Sequence, residues 1–248
     1  LPRGAMCIVN ACERRDVEVF ALATLFAQRR GRRFAYRTAA SFVAARLGQA
    51  PGGCLGGASL AATHASGGLV VVGSYVPKTT LQLERLRSAG WLDEVELPAG
   101  AILDSSRRDQ TVDTAGAAVR RSLDAGRDVV LFTSRELVTG TDAVASLAIG
   151  RAVSAALIDI VRSLERPPRY FVAKGGITSS DLATRGLEVS RARVMGQVLP
   201  GVPVWQLGEG SRFPGLVYVV FPGNVGDAQA LREVVASLRG AQLEGGRS

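Results

Sequence analysis

Short runs of apolar residues alternate with longer amphipathic segments along most of this chain, and this alternation most constrains its fold. The clearest run, LVVV at 69–72, is apolar at every position, which is typical of a parallel strand covered on both faces. Strands separated by helices indicate βαβ units. We therefore predict an α/β fold with a mostly parallel sheet flanked by helices, a Rossmann-like three-layer arrangement. Strands are predicted at 7–11, 69–73, 94–97, 128–133, 170–173, 193–198 and 216–221, and helices at 16–30, 38–47, 79–89, 109–125, 142–164, 180–186 and 227–238.

The segment QAPGGCLGG at 49–57 is dense in glycine and proline and predicts a linker. It separates a short first piece from a longer α/β region. One strand and two helices cannot enclose a core, and the chain begins at Leu1 rather than Met. We expect residues 1–60 to be the C-terminal remnant of a second α/β domain. We expect residues 66–240 to form the main domain and 241–248 to form a frayed, polar tail.

Composition excludes several classes of protein. The chain is 47% hydrophobic, yet no stretch approaches the ~20 uninterrupted apolar residues of a membrane span, and no secretory signal begins it. We expect a cytoplasmic protein that does not bind membranes. The single histidine, His64, and the cysteines at 7, 12 and 54 lack the spacing of a metal site. The net charge of +8 comes from scattered arginine pairs without interleaved aromatics, which favours solvated faces over a nucleic-acid interface.

Ligands of open α/β sheets bind beyond the carboxyl ends of the strands, so the loops there are the candidate sites. After the 69–73 strand, Ser74 and two threonines, at 79 and 80, offer hydroxyls at a helix start, where a plain N-cap is the alternative. After the 170–173 strand, Gly175 and Gly176 would let a phosphate approach the backbone. In the same loop, Thr178 and Ser179 could donate to the phosphate or cap a helix, and the charge of Lys174 could help to hold it. This is the strongest single site in the sequence, although a di-glycine turn without a ligand remains an alternative.

Two further loops follow strands. FPGNVG at 221–226 is another strand–glycine–helix turn, whereas Thr133-Ser134-Arg135 has hydroxyls and a cation but no glycine and ranks lowest. Neither a GxxxxGK[ST] loop nor a GxGxxG turn opening a helix occurs, so several separate loops must hold any phosphates. The aspartates at 104, 109 and 113 could serve Mg²⁺, but acids near a helix start are ordinary. No catalytic base can be assigned.

Four stretches resemble the four-carbon acid sugar kinase family: GSYVPKTTLQLERL (73–86), AKGGITSSDLATRGL (173–187), GQVLPGVPVWQL (196–207) and FPGNVG (221–226). IVNACERRDVEVFALA (8–23) and RRFAYRTAASFVAARLG (32–48) resemble the end of that family's first domain. The resemblance implies two α/β domains, of which the second binds ATP. Carried onto this sequence, the family's ATP contacts are Ser74, Gly175, Gly176, Ile177, Thr178 and Gly223.

The resemblance further implies transfer of the γ-phosphate of ATP, with Mg²⁺, to a hydroxyl of threonate, erythronate or a related acid. The first domain of the family binds that acid and carries an Asp-Asp-x-Thr-Gly motif, which this sequence lacks. The catalytic residue is therefore not assigned, and this chain alone is not expected to suffice for catalysis. A homodimer is left open. Two alternatives stand beside this reading: a nicotinamide-dependent oxidoreductase on a Rossmann-like fold, and a non-catalytic relic or partner-binding module.

Overall fold

A computed structural model describes residues 4–50, 52–56, 66–73, 75–135, 138 and 140–240. The chain divides into two compact units, Leu1–Gly53 and Cys54–Ser248. The predicted tail at 241–248 lies outside the described ranges, as do residues 57–65, which include His64.

The first unit contains helices α1 (Arg14–Arg29) and α2 (Ala40–Arg46). A capping box formed by Glu13 and Asp16 starts α1, which explains why it begins two residues before the predicted start. The ring of Phe42 lies 5.8 Å from that of Phe20 and joins the two helices. The strand predicted at 7–11 is wrong, because the described part of this unit contains no second strand with which to pair.

A seven-stranded sheet dominates the second unit. Five strands run parallel, and an antiparallel hairpin completes one side, so the predicted fold class is confirmed. The strand order is β2-β3-β1-β4-β7-β6-β5. The strands are β1 (Leu69–Val72), β2 (Asp93–Leu97), β3 (Val129–Thr133), β4 (Phe171–Lys174), β5 (Ala192–Leu199), β6 (Val202–Leu207) and β7 (Val217–Phe221).

Helices cover both faces of the sheet because side chains alternate along each strand. Leu69 and Val71 pack in one core with α5 and α6, whereas Val70 and Val72 pack in a second core with α3 and α8. Helix α7 continues into a π-helical turn at Leu182–Gly186, whose first residues belong to the α5–α6 core. The helices are α3 (Pro77–Arg87), α4 (Ala99–Leu103), α5 (Arg108–Asp124), α6 (Ala143–Arg162), α7 (Gly176–Asp181) and α8 (Ala230–Leu238).

One described helix, α6, is long and apolar enough to cross a membrane by length and composition alone. Its second half is buried in the core of this unit, with Leu157 and Ile160 almost inaccessible. Its first half is exposed, with Val144 78% and Leu147 55% accessible.

Candidate functional site

All four predicted loops leave the same edge of the sheet from neighbouring parallel strands, and the three that contain glycine follow β1, β4 and β7. Strands β1, β4 and β7 are adjacent and parallel, so the segments that follow them emerge side by side. The chain then turns to opposite faces, since α3 and α8 pack on one face and α7 runs into the core of the other. This divergence is the switch point at which open α/β sheets bind ligands.

Gly73 brings the end of β1 against the turn after β4. A Cβ atom built on Gly73 would lie 2.6 Å from Thr178 Oγ1, closer than a Cβ atom approaches another heavy atom, and at a tight 3.1 Å from Leu157 Cδ1. A larger residue at position 73 would have to displace Thr178, so two of the predicted loops meet here. Ser74, the predicted ATP contact in this loop, lies outside the described residues.

We expect Gly73→Ala to destabilise the second unit by about 1–3 kcal/mol, since the added methyl must displace Thr178. Urea denaturation measures this change. Thr178→Ala in the same background removes the nearest clashing atoms and should recover part of the lost stability. Equal losses in the single and double variants would contradict the contact.

The turn after β4 is fixed from inside. Gly175 has φ of +116°, and its N–H donates to Phe221 O at 2.8 Å. The Ser179 hydroxyl donates to Ala173 O or Gly175 O, each 2.7 Å away, and Tyr218 OH donates to Ser179 O. Helix α7 therefore begins at Gly176, four residues earlier than predicted. Ser179, which the sequence offers as a phosphate donor, instead braces the turn.

The outer side of this turn is open. The N–H groups of Gly176, Ile177 and Thr178 have no acceptor among the described residues, as expected for a first helical turn. A Cβ atom on Gly176 would meet nothing within 4 Å, and Ile177 is 79% exposed. These three predicted ATP contacts thus present unpaired backbone donors at an accessible surface.

The loop after β7 is held by its carbonyl groups. Thr79 Oγ1 donates to Gly223 O at 3.2 Å, which connects α3 to this loop. Within the described ranges, the N–H groups of Gly223, Asn224 and Gly226 donate to no protein atom, whereas a tight turn at Gly223–Asn224 directs the Val225 N–H towards Pro222 O. Lys174 Nζ donates to Pro222 O, and Lys78 Nζ donates to Asn224 O. Gln82 Nε2 donates to both Val225 O and Asp227 O.

Lys174 is the last residue of β4 and not part of the following loop, where its sequence position suggests it lies. Its side chain is fully buried over the Phe221 ring, with Nζ 3.9 Å from the ring centroid and 2.7 Å from Pro222 O. Burial, and secondly the charge of Lys78, lowers the pKa of Lys174 to about 7. Lys174 therefore supports the site from beneath.

The loop after β3 is closer to the site than its low ranking suggests, because β3 is the other neighbour of β1. Arg135 donates to Thr133 O and Thr133 Oγ1 at 3.0 and 2.8 Å and lies over the Tyr75 ring at 5.3 Å. Burial lowers the pKa of the Arg135 guanidinium. The loop at Thr133-Ser134-Arg135 ranked lowest because it has no glycine, and only the strand order shows that it lies beside the loop after β1.

Two of the three candidate Mg²⁺ ligands, Asp104 and Asp109, have partners within the protein. Asp104 accepts from the backbone N–H and the hydroxyl of Ser106, which lower the pKa of Asp104. Asp109 pairs with Arg108 at 3.0 Å. The described residues contain no group of three or more metal-ligating side chains.

A family model described as the nucleotide-binding C-terminal domain matches residues 69–231. The chain belongs to this family. The matched region contains β1 to β7 and the glycine-containing loops, and it confirms the predicted resemblance to a family of nucleotide-binding C-terminal domains. No curated protein sequence matches the chain.

Solved structures of about twice the length share the fold. A protein from Salmonella typhimurium LT2 described as a putative tRNA synthase is 17% identical with a TM-score of 0.62, covering 94% of this chain and 52% of that one. A Haemophilus influenzae protein of the DUF1537 family is 18% identical with a TM-score of 0.61, covering 93% and 53%. A DUF1537 protein from Bordetella bronchiseptica, a domain-swapped dimer with bound citrate, is 21% identical with a TM-score of 0.56, covering 94% and 53%. The chain thus spans about half the length of these structures.

Proposed function

We propose that the second unit binds ATP as the nucleotide-binding half of a kinase that phosphorylates a small sugar acid of the threonate or erythronate class. One observation carries the proposal: two neighbouring loops present unpaired N–H groups, at residues 176–178 and at Gly223, Asn224 and Gly226, within the region that the family model matches. Backbone N–H groups at glycine-rich strand ends are a common phosphate-binding arrangement. Ser74, Gly175, Gly176, Ile177, Thr178 and Gly223 remain the proposed ATP contacts.

The donors fit a triphosphate better than they fit a metal ion. Phosphoryl transfer depends mainly on positioning and on stabilisation of phosphate charge, which the N–H groups and the Thr178 hydroxyl would supply. Mg²⁺ commonly keeps several waters and is bound through phosphates with one or two carboxylates. We therefore propose that Mg²⁺ accompanies ATP and is held largely by the phosphates. The base that deprotonates the sugar acid is assigned to a domain other than the second unit.

The comparisons allow two further proposals. Citrate in the Bordetella bronchiseptica structure is a small polycarboxylate, which is compatible with an acidic substrate in this group of proteins. The domain-swapped dimer of the same protein is compatible with a homodimer here. We place the reaction in the cytoplasm, where ATP is available.

Calorimetric titration of the chain with ATP–Mg²⁺ and, separately, with NADH tests the proposal. We expect ATP–Mg²⁺ to bind and NADH not to bind, because no dinucleotide fingerprint follows β1. Binding of NADH alone would favour an oxidoreductase, and binding of neither would favour a non-catalytic relic.

A second measurement separates nucleotide binding from catalysis. The chain is mixed with the isolated first domain of a full-length relative, and threonate phosphorylation is followed. We expect activity only in the mixture, since this chain lacks the aspartate motif. Binding of ATP without activity in the mixture would retain the nucleotide site and reject the sugar-acid kinase.

A further inference from the structure

Lys174 is an unusual residue in this chain because it is a fully buried cation beside the candidate site. It is one of only two lysines, and the ion pairs found among the described residues do not include it. Its amine contacts an aromatic ring and the Pro222 carbonyl. Such surroundings hold an ammonium group in place but provide no negative charge to balance it.

The position of Lys174 connects two of the proposed phosphate loops. In sequence it directly precedes Gly175, and through Pro222 it holds the start of the loop that contains Gly223. Lys78, on α3, faces the same loop and donates to Asn224 O at 3.2 Å. Of the described charged groups, Lys78 is the one whose charge acts on Lys174, and it is repulsive. Phe221 at the end of β7 contributes its ring to these surroundings, and the next residue, Pro222, contributes its carbonyl.

An anion bound to these loops would supply the missing negative charge. Residues 176–178 begin two positions after Lys174, and Gly223 follows Pro222, whose carbonyl accepts from the buried amine. Phosphate oxygens held by either loop would therefore lie near this amine, and charges interact more strongly across protein than across water. The ammonium form of Lys174 is then favoured, whereas in the free protein burial and Lys78 oppose it.

We propose that Lys174 is a positioning residue that takes up a proton when the phosphates of a nucleotide bind to the neighbouring loops. This inference rests on the proposed function. The proton comes from solvent, no covalent bond changes, and the resulting ammonium holds the Pro222 carbonyl while it balances the charge of the phosphates. Lys174 does not need to touch the nucleotide.

Protonation of Lys174 makes the affinity for the nucleotide depend on pH. In the free protein the pKa of Lys174 is about 7, and bound phosphate raises it. Below this value the ammonium already exists, so affinity is highest and no proton is taken up. Above it, affinity falls by up to about tenfold per pH unit until the pKa of the complex is reached.

Nuclear magnetic resonance of the chain labelled with ¹³C at lysine Cε tests the inference, because only two lysine signals arise. We expect one signal to titrate near neutral pH in the free chain and at a clearly higher pH with saturating ATP–Mg²⁺. Lys174→Met should remove that signal, which assigns it. Titration of both lysines near 10.5 in the free chain would overturn the inference.

Calorimetry of ATP–Mg²⁺ binding in buffers of different ionisation enthalpy measures the proton directly. We expect uptake of a fraction of a proton near pH 8 in the natural chain and none beyond the ligand's own contribution in Lys174→Met. Lys78→Met removes the repulsion and should shift uptake to higher pH. Arg85→Met, a charge loss on an exposed part of α3, should leave the uptake unchanged.

The outcomes separate this inference from the proposed function. Binding of ATP with equal proton uptake in the natural chain and Lys174→Met overturns the role of Lys174 and retains the nucleotide site. If Lys174→Met instead binds ATP more weakly by the same factor at every pH, the role of Lys174 is purely structural, and the proposed proton uptake is also overturned. Absence of ATP binding at every pH overturns both.

Discussion

Gly176→Val is expected to weaken ATP binding by about tenfold or more while leaving the fold intact. A Cβ atom at this position meets no protein atom within 4 Å, and the backbone φ is not in the left-handed region. The valine side chain therefore costs little in the folded protein. It occupies the space above the N–H groups of residues 176–178, where we place a phosphate. Calorimetric titration with ATP–Mg²⁺ measures the loss of affinity.

Gly100→Val is the matched control for this variant. Gly100 is also an exposed glycine in a first helical turn, with nothing within 4 Å of its Cβ position. It follows β2, three strands from β4, which at the usual spacing of strands is roughly 14 Å away. We expect the ATP affinity of Gly100→Val to match that of the natural chain. Unchanged affinity in Gly176→Val, with both variants folded, would remove the turn after β4 from the site.

Four of the five parallel strands are predictable because their apolar runs are nearly continuous. Each of β1, β3, β4 and β7 falls within one residue of its predicted bounds. The sequence does not reveal β6, whose Pro203 argues against a strand. Pro203 pairs with Gln197 of β5 beside an irregularity in the register, and it lies outside the pairing of β6 with β7, which covers only residues 204–206. The proline therefore removes no hydrogen bond from the β6–β7 ladder. The five-residue α4 is too short to show a helical period.

The candidate site was predictable where it depends on backbone geometry and unpredictable where it depends on strand order. Glycines after strands identify the turns at Gly175 and Gly223, but only the order β3-β1-β4-β7 brings their loops, and Arg135, to one stretch of the edge. The direction of a side chain also cannot be predicted from sequence. Ser179 and Lys174 were expected to contact a phosphate from the loop, but the Ser179 hydroxyl donates to Ala173 O and the Lys174 side chain is buried.

Asp128→Asn is expected to cause the largest loss of stability, about 3–5 kcal/mol. The Asp128 side chain is 1% exposed and accepts from Arg169 Nη2 at 2.7 Å, Arg239 Nη1 at 2.8 Å and Gly68 N at 2.6 Å. These groups precede β1 and β4 and follow α8, so a single carboxylate joins three elements at the amino end of the sheet. An asparagine leaves two guanidinium groups without their anion and turns an amide donor towards one of them. Urea denaturation measures the change in the free energy of unfolding.

The position of Asp128 separates stability from binding. It lies one residue before β3, whose five residues place it roughly 16 Å from the carboxyl edge where the glycine loops emerge. Asp128→Asn should therefore bind ATP–Mg²⁺ with unchanged affinity at temperatures where it remains folded. Asp109→Asn is the control, since that carboxylate pairs with Arg108 but is 88% exposed, and exposed pairs contribute at most about 1 kcal/mol. Equal stability of the two variants would show that the buried cluster contributes no more than a surface ion pair. Weaker ATP binding by folded Asp128→Asn would instead show that the two ends of the sheet are coupled.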